Sequence, residues 1–299
     1  MRKAIALLIT VMFVMVISVA IGYGLTQLKD ASSSVVLEQK LYQDTMILDD
    51  VLEILRTSPE LLHLADNNAS DDLYLFLQNS QYLPLEHSKE KIVITFKSAR
   101  SHININTLNK ANEELFRNYF SRRMVGNTYI DVLKECMRIN QEKEGYNDAY
   151  KSALFEKYPE LFRDYIASKE HLDMINTFYM NEYGDTSLKN VPFSELFSYS
   201  DNPAEVIDLN YATVEVWSLL LDVAADRATV LTQNAGRYKS WKDVGLTPSE
   251  QKNIAKFKTT FFAPYLDVEI KVGEGTQRSK IYFTYDIKQK RGYDFVFKL

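Results

Sequence analysis

The chain has 299 residues, 46% of them hydrophobic and 25% charged, enough for a membrane anchor plus one large or two small domains. Its formal net charge of −5 excludes a generally basic nucleic-acid-binding surface, though not a local basic patch. A single cysteine, Cys136, excludes an intrachain disulfide and reads as a small core residue.

Arg2 and Lys3 open the chain, and residues 5–25 are almost wholly apolar, interrupted by Thr10 and Ser18 and by Gly22 and Gly24 near the end. About 20 apolar residues are needed to cross a bilayer, so this run is just long enough. The leading positive charges favour a cytoplasmic amino terminus with the rest of the chain outside. A cleaved signal peptide is the competing reading, because Ser18-Val19-Ala20 fits a small-x-small cleavage site.

Past the apolar run there is no proline from Gln27 to Arg56. Leu41, Leu48, Leu52 and Leu55, with Thr45 among them, form one stripe of an amphipathic helix. Joined to the span, this makes one helix of about 50 residues, roughly 75 Å long at 1.5 Å per residue. Its first half would lie in the membrane and its second half on a folded body.

Strand alternation appears at 91–97, where Ile92, Ile94 and Phe96 alternate with Val93, Thr95 and Lys97. The segment Ile103-Asn104-Ile105-Asn106-Thr107-Leu108 and the later Ile207-Asp208-Leu209-Asn210-Tyr211-Ala212-Thr213 are a local echo of one another. Each reads as an extended stretch turning into a helix, with asparagine or threonine as N-cap. Helical spacing covers 113–123, 129–139, 148–155 and 161–183, then 213–221, 225–234 and 248–258. The last part returns to strands at 265–272, 280–287 and 293–298. The expected fold is α+β, with the early strand joining the late ones in an antiparallel sheet against the long helix and the helices between them forming an insert.

The leader resembles that of type IV pilin-like proteins: a short basic stretch, a small residue, then a long apolar helix. With Ile-Asn-Ile-Asn-Thr-Leu at 103–108, Val-Pro-Phe-Ser-Glu-Leu at 191–196 and the long segment 206–287, the chain is similar to the minor pseudopilin K family of type II secretion systems. The resemblance implies a leader at 1–4, a transmembrane helix at 5–25, pilin-like helix and first strands at 26–107, an inserted helical domain at 108–264, and closing strands at 265–299. It implies cleavage by prepilin peptidase between Ala4 and Ile5; most such leaders end in glycine, so Ala4 is a departure. It also implies I-type and J-type minor pseudopilins as partners, and through them the major pseudopilin. Calcium sites occur in relatives of that family, but no acids here are assigned as ligands, and no other cofactor is expected.

Most pilin-like proteins carry glutamate at the fifth mature position, where this chain has Ile9; the K family characteristically lacks it. An unpaired charge in the apolar bundle costs several kcal/mol, so a subunit with Ile9 suits a position with nothing above it. The implied role is a non-enzymatic tip subunit that nucleates or caps a periplasmic filament from the inner membrane.

One motif competes. Residues 206–258 look like a helix-hairpin-helix unit, as carried by membrane-anchored DNA receptors of natural transformation. In DNA-binding versions a glycine-rich hairpin offers backbone N–H groups to phosphate. Here the turn is Leu221-Asp222-Val223-Ala224-Ala225-Asp226, without glycine and with two carboxylates, so the unit reads as a packing module with Trp241 in its core. His63, His87, His102 and His171 sit in no zinc-like spacing, and Ser168, His171 and Asp173 are not spaced as a catalytic relay. No phosphate loop or dinucleotide fingerprint is present. A soluble periplasmic protein with a removed signal peptide is the third reading.

Overall fold

The computed structural model describes residues 35–67, 70–79, 83–87, 90–137, 153–273 and 279–298. Helix α1 covers 35–57 and is followed by α2 (Pro59–Asn67) and α3 (Ser70–Asn79). Strands β1 (Leu83–His87) and β2 (Glu90–Ser98) form a hairpin whose second strand pairs with β7 (Tyr265–Val272). Strands β8 (Ser279–Asp286) and β9 (Arg291–Lys298) complete a five-stranded antiparallel sheet of order β1-β2-β7-β8-β9. The expected joining of early and late strands against the long helix is therefore what the chain builds.

The alternation in the sequence explains the sheet's inner face. Ile94, Ile270 and Ile281 lie in one cross-strand row, and Phe96, Val268 and Phe283 in the next. All six are buried against Ile47, Leu48, Val51, Leu52 and Leu55 of α1 and Leu61, Leu64, Leu73 and Leu77 of α2 and α3. A side-chain period of two puts one face of each strand on a single core. Burial of each large aliphatic side chain stabilises by roughly 1.5–3 kcal/mol.

Residues 99–264 enter between the neighbouring strands β2 and β7 and form a second apolar cluster. The short echo in the sequence proves to be the start of two similar units. The first runs from β3 (Ile103–Asn104) through α4 (Glu113–Ser121), α5 (Thr128–Cys136), α6 (Ala153–Lys157), α7 (Lys169–Tyr183) and α8 (Phe193–Leu196) to β4 (Phe197–Ser198). The second runs from β5 (Ile207–Asp208) through α9 (Val214–Leu221), α10 (Ala225–Thr232), α11 (Trp241–Val244) and α12 (Pro248–Ile254) to β6 (Thr259–Thr260). In each, the first and last strands pair in parallel.

The asparagine at the fourth position of each echo clamps its unit shut. Asn106 donates from Nδ2 to the carbonyls of Ile166 (3.0 Å) and Ser200 (2.8 Å), and its Oδ1 accepts the Ile166 N–H at 2.8 Å. Asn210 donates to the carbonyls of Tyr238 (2.9 Å) and Phe261 (2.7 Å), and accepts the Tyr238 N–H at 2.9 Å. A carboxamide offers two donors and an acceptor in one plane, which is what a loop residue plus a returning strand demand.

The same clamp corrects the helix expected over 161–183. Only Lys169–Tyr183 is helical, because the Ile166 backbone pair is held by Asn106 and Ser168 (φ −158°) caps the helix by accepting the His171 N–H. Of the helix expected at 148–155, the described part is Ala153–Lys157. Trp241 is corrected as well. It is 45% exposed and packs edge-on against Phe261, while Trp217 is the fully buried tryptophan.

Asp208 roots the second unit on the sheet. Its N–H donates to the Arg100 carbonyl at 2.8 Å, and its carboxylate accepts the N–H groups of Ala263 (2.7 Å) and Asn210 (3.0 Å). The side chain is fully buried, and desolvation pushes its pKa up to about 7 despite those two N–H groups.

Two outcomes follow. Asn210→Ala strands buried backbone groups of Tyr238 and Phe261 and should destabilise the protein by on the order of 3 kcal/mol in urea melts. For Asp208 the folded state holds its proton more tightly than the unfolded state does. Its contribution is therefore greatest below about pH 4 and falls as pH rises towards 7. Relative to the always-neutral Asp208→Asn, the wild type should lose roughly 3 kcal/mol of stability between pH 5 and pH 8, at about 1.36 kcal/mol per pKa unit.

Candidate assembly face on the long helix

Helix α1 divides its residues by angle. Asp44, Ile47, Leu48, Val51, Leu52 and Leu55 recur at three- and four-residue spacing and are buried against the sheet. On the opposite side Val35, Tyr42 and Met46 are 52%, 71% and 54% exposed. Leu37 and Leu41 continue the buried stripe in sequence but are exposed, because the body's coverage of the helix begins at Asp44, whose carboxylate accepts the buried Ser279 hydroxyl at 2.8 Å. Leu41 and Thr45 are thus not part of the packed face expected of them, and Thr45 instead donates its hydroxyl to the Leu41 carbonyl.

The helix is therefore amphipathic where the body covers it and apolar on several sides where it emerges, towards the apolar run at 5–25. Exposed apolar side chains grouped on one element mark an interaction surface. No helix among the described residues is long and apolar enough to cross a membrane. The apolar run, together with the processing residues Ala4 and Ile5 and the fifth mature residue Ile9, lies outside the described residues.

The hairpins of the two inserted units are closed to anions. In the second, Asp222 ends α9 in the left-handed conformation (φ 58°), and the Val223 N–H returns to the Ser218 carbonyl at 3.2 Å. The Asp222 carboxylate is held by Arg122 and by the Asn118 amide at 2.8 Å, both on the chain at and just after α4. Arg123 pairs with Glu215 and stacks its guanidinium 3.8 Å from the centre of the Tyr119 ring. These contacts seal the second hairpin against the first unit.

The first hairpin repeats the geometry: Met124 has φ 64°, and the Val125 N–H returns to the Phe120 carbonyl at 3.1 Å. It does contain a glycine, Gly126, where a Cβ would come within 2.8 Å of the Tyr179 hydroxyl. The Gly126 N–H, the group an outside phosphate would need, donates instead to Asp185 at 3.1 Å. Burial raises the Asp185 pKa, but hydrogen bonds from Ser187, Gly126 and Tyr179 outweigh it and hold the carboxyl down at about 2. An internal carboxylate occupies the place of an anion. Sequence reading missed this first hairpin, although Val125-Gly126 was its signal.

Residues with catalytic chemistry have structural employment. Ser168 caps α7, the His171 ring accepts the Ala167 N–H at 3.2 Å, and Asp173 pairs with Lys169 at 2.5 Å. Burial pushes the Cys136 thiol up to about 12, keeping it protonated. His63 lies 3.4 Å from Asp72 on the surface, and burial lowers the pKa of His102. Among the described residues no group of three or more His, Cys, Asp and Glu side chains could hold a metal ion.

No family model matches the chain, and no curated protein matches it. Among solved structures, the chain is similar to a chain of the GspK-GspI-GspJ complex from the enterotoxigenic Escherichia coli type 2 secretion system. The match has a TM-score of 0.60 at 12% identity and covers 88% of this chain and 98% of that one. At this identity the likeness is one of fold, and it extends over nearly the whole of the other chain.

The division of α1 predicts a contrast between its faces. Tyr42→Asp and Met46→Asp should each change stability by no more than about 0.5 kcal/mol, as expected for surface positions. Val51→Asp buries a charge against the sheet and should abolish the cooperative thermal transition of the body.

Proposed function

We propose that the chain is a minor pseudopilin of the K type, anchored in the bacterial inner membrane and acting by assembly in type II protein secretion. The observation that carries this reading is the fold shared, over 88% of this chain, with a chain of the GspK-GspI-GspJ complex. The apolar emergence of α1 supports it, being the surface a neighbouring helix needs.

In this reading prepilin peptidase cuts between Ala4 and Ile5, and the new amino terminus is methylated. Residues 5–25 span the membrane with the body in the periplasm. The apolar surface of α1 packs on the helices of I-type and J-type minor pseudopilins, and through them the complex joins the major pseudopilin. Burial of apolar helix surface drives the association, at roughly 25 cal/mol per Å² removed from water. Ile9 supplies no carboxylate to a subunit above, which suits the tip, where the subunit nucleates or caps the filament and the insert faces outward. The closed hairpins argue against the DNA-receptor alternative, since neither leaves its turn open to phosphate.

The first test is the mass of the mature amino terminus of protein taken from its native membrane. Methylated Ile5 is expected. A start at Ile21 would indicate a signal peptide, remove the anchor and overturn the proposal. The second is Ile9→Glu: the variant should fold normally but let filaments extend past it, or lose its capping effect on filament length. Unchanged capping would sink the charge argument for the tip.

A further inference from the structure

The insert carries an apolar groove that the assembly face does not use. It has a volume of about 740 Å³ and lies on the second unit, lined by Val206, Trp241, Leu246, Ile254, Ala255 and Phe257. Trp241 and Val206 are two of the chain's exposed large apolar residues, at 45% and 37%. Trp241 follows the Ser240 cap as the first residue of the short helix α11, and it is held only edge-on by Phe261, with ring centres 5.0 Å apart. A large ring steadied by a T-shaped contact and nearly half exposed is a preformed anchor point, and tryptophan is among the residues that dominate binding energy at interfaces.

Lysine outnumbers acid in the stretch that lines most of the groove. Residues 239–258 contain two acids, the exposed Asp243 and the buried Glu250, and both accept hydrogen bonds within the fold. Asp243 accepts the N–H groups of Lys239 (3.0 Å) and Ser240 (2.8 Å). Glu250 is buried, pairs with Arg227 at 3.1 Å, and accepts the Thr247 N–H at 2.7 Å. The lysines of the same stretch are not so consumed. Lys239 pairs with Asp71, but Lys242, Lys252, Lys256 and Lys258 form no ion pair among the described residues. Lys258 lines the groove itself, and Lys252 and Lys256 directly follow the groove residues Gln251 and Ala255 along the chain. In a chain of net charge −5, residues 239–258 carry five lysines against two carboxylates, and this locally cationic stretch supplies most of the groove's lining.

We propose that this groove binds an acidic segment of a partner protein through apolar anchors seated against Trp241 and carboxylates set on Lys258 and the lysines near it in the chain. Most of the lining is apolar side chain, Ile254, Ala255, Phe257 and Leu246 among it, which aliphatic or aromatic side chains fill, and the polar lining groups are Gln251, Lys258 and Thr259. The helix-hairpin elements that would present N–H groups to nucleic acid are closed by Asp185 and Asp222. Complementary charge speeds encounter and the apolar anchors set the residence time. The proposal does not depend on the secretion reading.

The test uses the full-length chain in detergent micelles and a labelled peptide alternating aspartate with leucine and phenylalanine. Controls are polyaspartate and single-stranded oligo-dT. Because Trp217 is fully buried, a change in tryptophan emission on binding reports Trp241. The alternating peptide should bind and shift the emission, with polyaspartate at least 10-fold weaker. Trp241→Ala and the double variant Lys252→Glu/Lys258→Glu should each weaken binding by about 10-fold, or roughly 1.4 kcal/mol, with unchanged thermal melts. Three results overturn the proposal: no binding of the alternating peptide, equal binding by the variants, or tighter binding of oligo-dT, which would assign the groove to nucleic acid.

Discussion

The pairing of β2 with β7 is the constraint on which the rest of the molecule hangs. The Ser98–Leu266 register and the Ala99 N–H bond to the Tyr265 carbonyl at 3.0 Å put the two ends of the insert side by side. Closing a loop of that length costs about 4–5 kcal/mol of chain entropy, a cost that grows only logarithmically with length. The insert offsets it by folding around its own apolar cluster, separate from the one under the sheet. At the junction, Arg100 pairs with Glu205 and lies 4.5 Å from the centre of the Tyr265 ring, while Asp208 accepts the Ala263 N–H. The root of the insert is thereby tied at its entry, its midpoint and its exit.

The two units within the insert solve one problem twice. Each must end a first helix sharply, turn, and bring a distant strand back beside its own start. A left-handed residue, Met124 or Asp222, makes the turn, and an asparagine, the half-buried Asn106 or the buried Asn210, secures the return. What differs is what seals the hairpin: Asp185 from the same unit in one case, Arg122 and Asn118 from the neighbouring unit in the other. The backbone donors at both turns point inward, to Phe120, Asp185 and Ser218, consistent with a module that packs.

Function on this reading lives on surfaces. The long helix carries a core-facing stripe and an outward apolar face at once, and they part company at Asp44, where the body ends. The second unit adds an apolar groove in a lysine-rich stretch. The buried thiol and the serine–histidine neighbours are engaged in packing and capping.

The sequence by itself determined the α+β class, the strands at 91–97, 265–272 and 280–287, and most helices of the insert. It could do so because a strand against one core or a helix on one core repeats at two or 3.6 residues whatever its partner. It also carried the echo of Ile103–Asn106 in Ile207–Asn210. Tertiary structure alone decided where those patterns stop. Leu41 has the same spacing as Leu48 and is exposed, since periodicity does not say where the body ends. Residues 161–168 look helical and are not, because Asn106, distant in sequence, takes the backbone of Ile166. Trp241 looked like core and is surface, because burial depends on what lies across from a side chain, and no local pattern records that. The clamps, the sealed hairpins and the root at Asp208 all join residues far apart along the chain. They exist only once the chain has folded, and so only the folded structure could disclose them.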